Sequence, residues 1–407
     1  MTLAKVKSAC SGAADLSNAE RRAVYSDLEE LVLDGKAGSE EEVKELRTSL
    51  RLKRVPRHRS VWDLLWLLDF VTRFVGVPLA FTCAGIFAAL PLLVLTFVEN
   101  NIFTLYVTDE VGRSVELSVA IRRWIVGCIL CISGLVMEVQ GLDEHFFAHD
   151  KLLVCFQHNS SADPLIVARS CPTKHFCFGK KELFLMPFMG WFGLAIGGIS
   201  VDRENRDRSI AALNIATKAT ESSDGKCCIC IAPEGTRSKT GNLLDFKKGP
   251  FHTWQALNVP VVPMVSYGNY DLYPTGSWVN TPGKIVVRYL KPILPSEANS
   301  RDEMSELVRR RMLEALREAP SDLGRPLAWA ERLKSIFTLL SLFAFVISAA
   351  HVLLRLMGDM PTKTAWYYLA AFVLGVTIFL HCYNVYIATF LDRMAREEAK
   401  ATNKKTK

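Results

Sequence analysis

The chain has 407 residues, half of them hydrophobic and 22% charged, with a mean hydropathy of +0.16. At roughly 150 residues per domain this length would allow two or three soluble domains, but the hydropathy argues against a simple soluble protein, and collagen-like and wholly disordered chains are excluded. Forty-nine basic against 42 acidic side chains give a net charge of +7, too modest for the length to argue for a nucleic-acid partner.

Residues 1–60 read as a cytosolic, partly helical region. Ser39 followed by Glu40, Glu41 and Glu42 marks a helix start. The basic run Lys44, Arg47, Arg51, Lys53, Arg54, Arg57 and Arg59 is either a solvated face or a contact with anionic headgroups. Met1 to Arg22 has no apolar signal core, and the 11 cysteines lack the dense, even spacing of a disulfide framework, so a reducing compartment is expected.

Phe74 to Val98 carries no charge and exceeds the roughly 20 residues needed to cross a bilayer. A second apolar run, Trp124 to Met137, is short; with its flank to 141 it is taken as a second membrane segment, spanning, re-entrant or interfacial. Its Cys128-x-x-Cys131 reads as small hydrophobes before any redox or metal pair. Residues 142–333 are mixed in polarity. Then 335–354 and 364–391 are uncharged and joined by a turn with Gly358, Asp359 and Pro361, which predicts a membrane hairpin, and 392–407 is a basic tail.

Lysine and arginine at span ends favour the cytosolic side, so both termini and the central region are expected there, which requires the second segment to cross. Lys404-Lys405-Thr406-Lys407 resembles a dilysine retrieval signal of the endoplasmic reticulum, or is a plain solvated tail.

Leu152 to Gln157 has the character of a buried strand leading into His158-Asn159-Ser160-Ser161-Ala162-Asp163-Pro164. Ser160 or Ser161 can cap a helix whose first turn holds Asp163, which lets the carboxylate turn back onto the imidazole. A histidine oriented in this way can take a proton from a substrate alcohol, although Ser160-x-x-Asp163 is also a capping box. Cys227, Cys228 and Cys230 fall in a second buried strand. Leu183 to Gly193 is rich in large apolar residues and reads as a leaflet-dipping surface, an acyl-channel lining or a core segment, with Lys180 and Lys181 at headgroup level. His145 and His149, four apart, would share a helical face; without a third ligand they read as a helix end rather than zinc ligands.

Four further stretches follow in order: Gly197 to Arg203, Ile229 to Ser238, Phe246 to Gly249, and Val259 to Pro263. With the His158–Asp163 motif they resemble the glycerolipid acyltransferases, most nearly the 1-acylglycerol-3-phosphate (lysophosphatidic acid) acyltransferase branch. The resemblance covers roughly Lys151 to Pro295. It implies an α/β acyltransferase domain, a mixed, largely parallel sheet flanked by helices, inserted between two pairs of transmembrane helices.

It further implies acyl transfer from acyl-CoA to the sn-2 hydroxyl of a lysophospholipid acceptor, lysophosphatidic acid, giving phosphatidic acid, with glycerol-3-phosphate or another lysophospholipid as alternative acceptors. A non-catalytic membrane lipid-binding scaffold is the alternative of another class. His158 would be the general base and Asp163 its orienting partner. Arg203, Glu234, Gly235, Thr236 and Arg237 would bind the acceptor phosphate, and Val262 and Pro263 would lie on the acyl-CoA side. Arg203 has salt-bridge partners in Asp202, Glu204 and Asp207 as an alternative. No metal, cofactor or acyl-enzyme is called for, since the thioester is already activated. One departure stands out: family members usually carry Asn directly before the histidine, whereas here Gln157 precedes it and Asn159 follows.

Overall fold

The computed structural model describes residues 2–54, 76–80, 83, 88–101, 105–108, 114–185, 189–201, 206–223, 225–277, 280–320, 323 and 327–357. Two compact units divide the chain, 1–327 and 328–407.

Three helices open the first unit: α1 Leu3–Ser11, α2 Asn18–Leu33 and α3 Glu40–Ser49. Ser39 caps α3 as expected, its side chain accepting from the Glu42 N–H, and Ser17 with Glu20 forms a full capping box on α2. Next come α4 Ala89–Asn101, a ribbon of β1 Tyr106–Thr108 against β2 Ser114–Glu116, and α5 Leu117–Ile132. The order then runs β3 Leu135–Gln140, α6 Glu144–Phe147, β4 Lys151–Phe156, α7 Asp163–Ser170 and β5 Lys174–Lys180. After α8 Lys181–Leu185 and α9 Met189–Ala195 come β6 Gly198–Val201, α10 Arg206–Glu221, β7 Cys227–Ile231 and α11 Gly249–Leu257. Strand β8 Val261–Tyr267, α12 Asn269–Leu272, β9 Gly283–Tyr289 and α13 Arg301–Arg317 complete the unit.

Seven strands form one sheet in the order β3-β9-β8-β4-β7-β5-β6. All neighbours are parallel except β8 and β9. The mixed, largely parallel sheet with flanking helices is therefore as expected. Strands β4, β7 and β8 are continuous apolar runs because helices cover both faces of a parallel centre. Leu153, Val154, Ile229, Cys230, Val261 and Val262 are fully buried there. On α13, Met304, Val308 and Met312 recur every four residues and bury one stripe. The same core includes Val6, Tyr25, Leu28 and Leu50, so residues 2–54 pack into it. Arg47, expected on a solvated or lipid-facing run, instead pairs with Glu29 and Asp245.

The expected second membrane segment, 124–141, is corrected. Its first part belongs to α5 and its last to β3, which pairs with β9, the switch being made at Gly134 with φ +68°. Helix α5 buries Val119, Ile125, Val126 and Ile129, and its Arg122 is also buried. The Arg122 guanidinium donates to the carbonyls of Ala168 (3.4 Å), Cys171 (3.2 Å) and Thr173 (3.0 Å). Hydropathy alone could not see those acceptors, which satisfy a charge that bare hydrocarbon would exclude. His145 and His149 do not share a helix, since α6 ends at Phe147.

The apolar stretch 183–193 divides between α8 and α9, with residues 186–188 outside the described residues. Leu183 is exposed, whereas Phe192 is buried and the Phe184 ring lies where a side chain at Gly179 or Gly198 would be.

The second unit contains α14 Trp329–Met357, which takes in 335–354; Phe337, Leu340 and Ile347 on it are exposed. Its side chains are described as far as Ser348, and over the described residues no helix is long and apolar enough to cross a membrane. The expected span 74–98 lies partly, and 364–391 and the tail 392–407 wholly, outside the described residues.

Candidate active site

The carboxyl ends of β4, β7 and β8, adjacent in the sheet, deliver His158, Glu234 and Asn269 within three residues of each strand's last residue. Ligand sites of open α/β sheets sit at such strand ends.

His158 Nδ1 lies 2.8 Å from Asp163 Oδ2. That contact assigns the ring proton to Nδ1 and leaves the Nε2 lone pair for a substrate. The same Asp163 oxygen accepts the N–H groups of Asn159 and Ser160, each at 2.9 Å. Asp163 Oδ1 accepts from Asn269 Nδ2 at 3.0 Å. Four donors therefore converge on this buried side chain and fix its orientation toward the imidazole. Asp163 thus serves both the imidazole and the loop N–H groups, but the N-cap of α7 is Ala162 and no capping box forms. Ser160 is not the helix cap; its hydroxyl accepts from Ala162 N–H and donates to the Tyr273 carbonyl.

Glu234 requires a correction. Expected at a phosphate, it is almost wholly buried, and its oxygens accept the backbone N–H groups of His158 (2.6 Å) and Leu244 (2.8 Å). Burial pushes its carboxyl up to about 8, against the lowering effect of those two hydrogen bonds. A buried acid is unsuited to bind an anion; Glu234 instead clasps the His158 loop to the loop after β7. Ser238 N–H adds a 2.7 Å bond to the His158 carbonyl.

The remaining members of this motif face outward. Gly235 (φ +67°) and Thr236 are exposed, and the Lys247 side chain lies over Gly235. Arg237 is half-buried, its Nε without a hydrogen-bond partner, and its charge acts on the nearby Tyr273 hydroxyl. Arg203 lies outside the described residues. Val262 and Pro263 are corrected as well: they sit inside β8 opposite Val154 and Cys155 and are buried in the sheet, because the central strand has helices on both faces.

Gln157 Nε2 and Asn159 Nδ2 both donate to the Gly241 carbonyl, at 3.2 and 3.1 Å, so the unusual Gln–His–Asn order ends on a single acceptor. Neither Gly241 nor Asn269 is singled out by the sequence. Gly268-Asn269 after an apolar strand signals only a turn, and its partners lie more than 100 residues away.

A cavity of about 400 Å³ lies elsewhere, at the amino end of β5, lined by Arg122, Lys174 and His175 among others. Hydrogen-bond chemistry, not cavity size, locates the site at His158.

A family model described as Acyltransferase matches residues 137–267. The 1-acyl-sn-glycerol-3-phosphate acyltransferase of Saccharomyces cerevisiae is 32% identical over 49% of this chain and 67% of its own length. The human 1-acyl-sn-glycerol-3-phosphate acyltransferase alpha is 31% identical over 52% of this chain and 74% of its own. A solved structure, the 1-acyl-sn-glycerophosphate (LPA) acyltransferase PlsC of Thermotoga maritima, covers 63% of this chain and 96% of its own at 22% identity, with a TM-score of 0.49. The matched domain, within which His158 and Asp163 lie, is of the acyltransferase class. The chain belongs to the 1-acyl-sn-glycerol-3-phosphate acyltransferase family.

Proposed function

We propose that the protein transfers an acyl group from acyl-CoA to the sn-2 hydroxyl of lysophosphatidic acid, giving phosphatidic acid and free coenzyme A. The observation that carries this reading is the 2.8 Å His158–Asp163 contact, which leaves Nε2 as the available base. Nε2 takes the proton of the acceptor hydroxyl as its oxygen attacks the thioester carbonyl. The carbon–oxygen bond forms, the carbon–sulfur bond breaks, and the proton on the imidazolium passes to the departing thiolate. Arg237, whose Nε is unpaired, offers a planar fork to the acceptor phosphate, with Lys247 as a positive neighbour. Arg203 is proposed to share that role.

The reaction is proposed to occur at the cytosolic face of the endoplasmic reticulum membrane, with 335–354 and 364–391 as a membrane hairpin. Residues 2–54 and 105–327 belong to one compact unit. With 124–141 folded into that unit, the apolar run 74–98 is proposed to contact the membrane from the same side, in place of a pair of crossings.

The test is thiol release from acyl-CoA by membranes containing the protein, with a panel of lysophosphatidic acid, glycerol-3-phosphate and lysophospholipids bearing choline, ethanolamine or glycerol. Lysophosphatidic acid should stimulate release most, and His158→Ala should abolish it at equal protein level. Preference for another acceptor would reassign the substrate, and no stimulation by any acceptor would favour a lipid-binding scaffold.

A further inference from the structure

Residues 2–54 lie far outside the matched 137–267, yet they reach the catalytic loop by two routes. Along the first, Arg22 and Asn18 of α2 donate to the two carboxylate oxygens of Asp271, and Arg22 and Asp271 are both buried. Asp271 belongs to the four-residue helix α12, which begins with Asn269. Fully buried Asn269 donates through Nδ2 to Asp163 Oδ1 (3.0 Å) and to Asn159 Oδ1 (2.6 Å). Both acceptors are oxygens, which fixes the orientation of the amide.

Along the second route, Leu52 N–H donates to the Thr240 carbonyl (2.9 Å) and Asn242 Nδ2 to the Leu50 carbonyl (3.1 Å). The Tyr25 hydroxyl donates to the Leu243 carbonyl at 2.7 Å. These bonds hold the loop whose Gly241 carbonyl receives Gln157 and Asn159, the two neighbours of His158.

We propose that residues 2–54 are a built-in positioning module for the His158–Asp163 pair, and that Asn269 is the positioning residue through which α2 acts. A helix of four residues has no stability of its own, and a buried Asp271 without Arg22 would be an uncompensated charge, so the place of α12 depends on α2. Without Asn269, Asp163 Oδ1 loses its donor, and the carboxylate is held through Oδ2 alone, by Asn159, Ser160 and His158. This inference rests on the acyl-transfer reading above.

The test uses the full-length protein with Asn269→Ala, Arg22→Ala and the double variant, measuring kcat, both KM values and amide hydrogen exchange. Asn269→Ala should lower kcat about 10- to 100-fold, the range for a slightly misplaced catalytic group, with both KM values within about twofold of wild type. Arg22→Ala should also lower kcat, yet add little in the Asn269→Ala background, because both act through α12. The amides of Asn159 and Ser160 should exchange faster in each variant. Should Arg22→Ala not yield folded protein, Arg22→Gln, which retains a donor for Asp271, takes its place in the same cycle. Effects on kcat that multiply independently, KM changes with kcat intact, or unchanged exchange at Asn159 and Ser160 would each overturn the proposal. Full activity in His158→Ala would remove the catalytic reading instead, and the exchange measurement would still decide whether α12 holds the loop.

Discussion

The Glu234 carboxylate accepts the His158 backbone N–H at 2.6 Å through one oxygen and the Leu244 N–H at 2.8 Å through the other. The acid after β7 is thereby the clasp that joins two catalytic-end loops.

Glu234→Gln keeps the shape but turns an amide nitrogen toward one of the two N–H donors. Leaving a buried donor unpaired costs about 1–3 kcal/mol, so the melting temperature and kcat should both fall. The carboxyl is raised in the folded protein from 4.5 to about 8. Below about 4.5 folded and unfolded chains both hold its proton. Between about 4.5 and 8 the unfolded chain releases it first, so this group's contribution to stability declines as pH rises. Unfolding followed from pH 5 to 8 should show a component of that sign in the wild type and lose it in Glu234→Gln.

Asp163→Asn removes the charge that holds the Nδ1–H form of His158. General-base assistance is worth about 10²- to 10⁴-fold, and kcat should fall within that range while acceptor KM changes little. Steady-state kinetics with lysophosphatidic acid decide it; a kcat within a factor of two of wild type would remove Asp163 from the mechanism.

Arg237→Ala should act on binding, raising acceptor KM about tenfold or more, the effect of about 1.4 kcal/mol, with a smaller change in kcat. Arg237→Lys should restore only part of this, since an ammonium lacks the planar fork. Equal KM values in all three proteins would refute the phosphate role.

Glu29 on α2 is buried and paired with Arg47 at 2.6 Å and with Arg309 of α13. Glu29→Ala leaves Arg309, itself buried, with only the exposed Asp245 at 3.3 Å as a carboxylate partner, so the loss should fall below the about 3–5 kcal/mol of a fully broken buried pair. Limited proteolysis should then cut within residues 2–54 at protease levels that leave the wild type intact.

Local patterns in the sequence were enough to determine β4, the all-cysteine-rich strand β7, the Ser39 cap and the close approach of His158 to Asp163. Each depends on neighbours within a few residues or on an apolar run long enough to be buried on both faces. Tertiary structure alone decided the rest, because the partners lie far apart in the chain. Residues 124–141 became helix and strand once three carbonyls from 168 to 173 received Arg122 and β9 offered its edge to β3. Glu234 became a clasp rather than a phosphate ligand because the His158 and Leu244 N–H groups meet it in the core. The half-hydrophobic composition therefore divides less simply than segment lengths suggest. Part of what reads as membrane belongs to the sheet, and residues 2–54 are joined to α12 and α13 by buried ion pairs, and to the loop 240–243 by backbone carbonyls, that only the folded chain brings together.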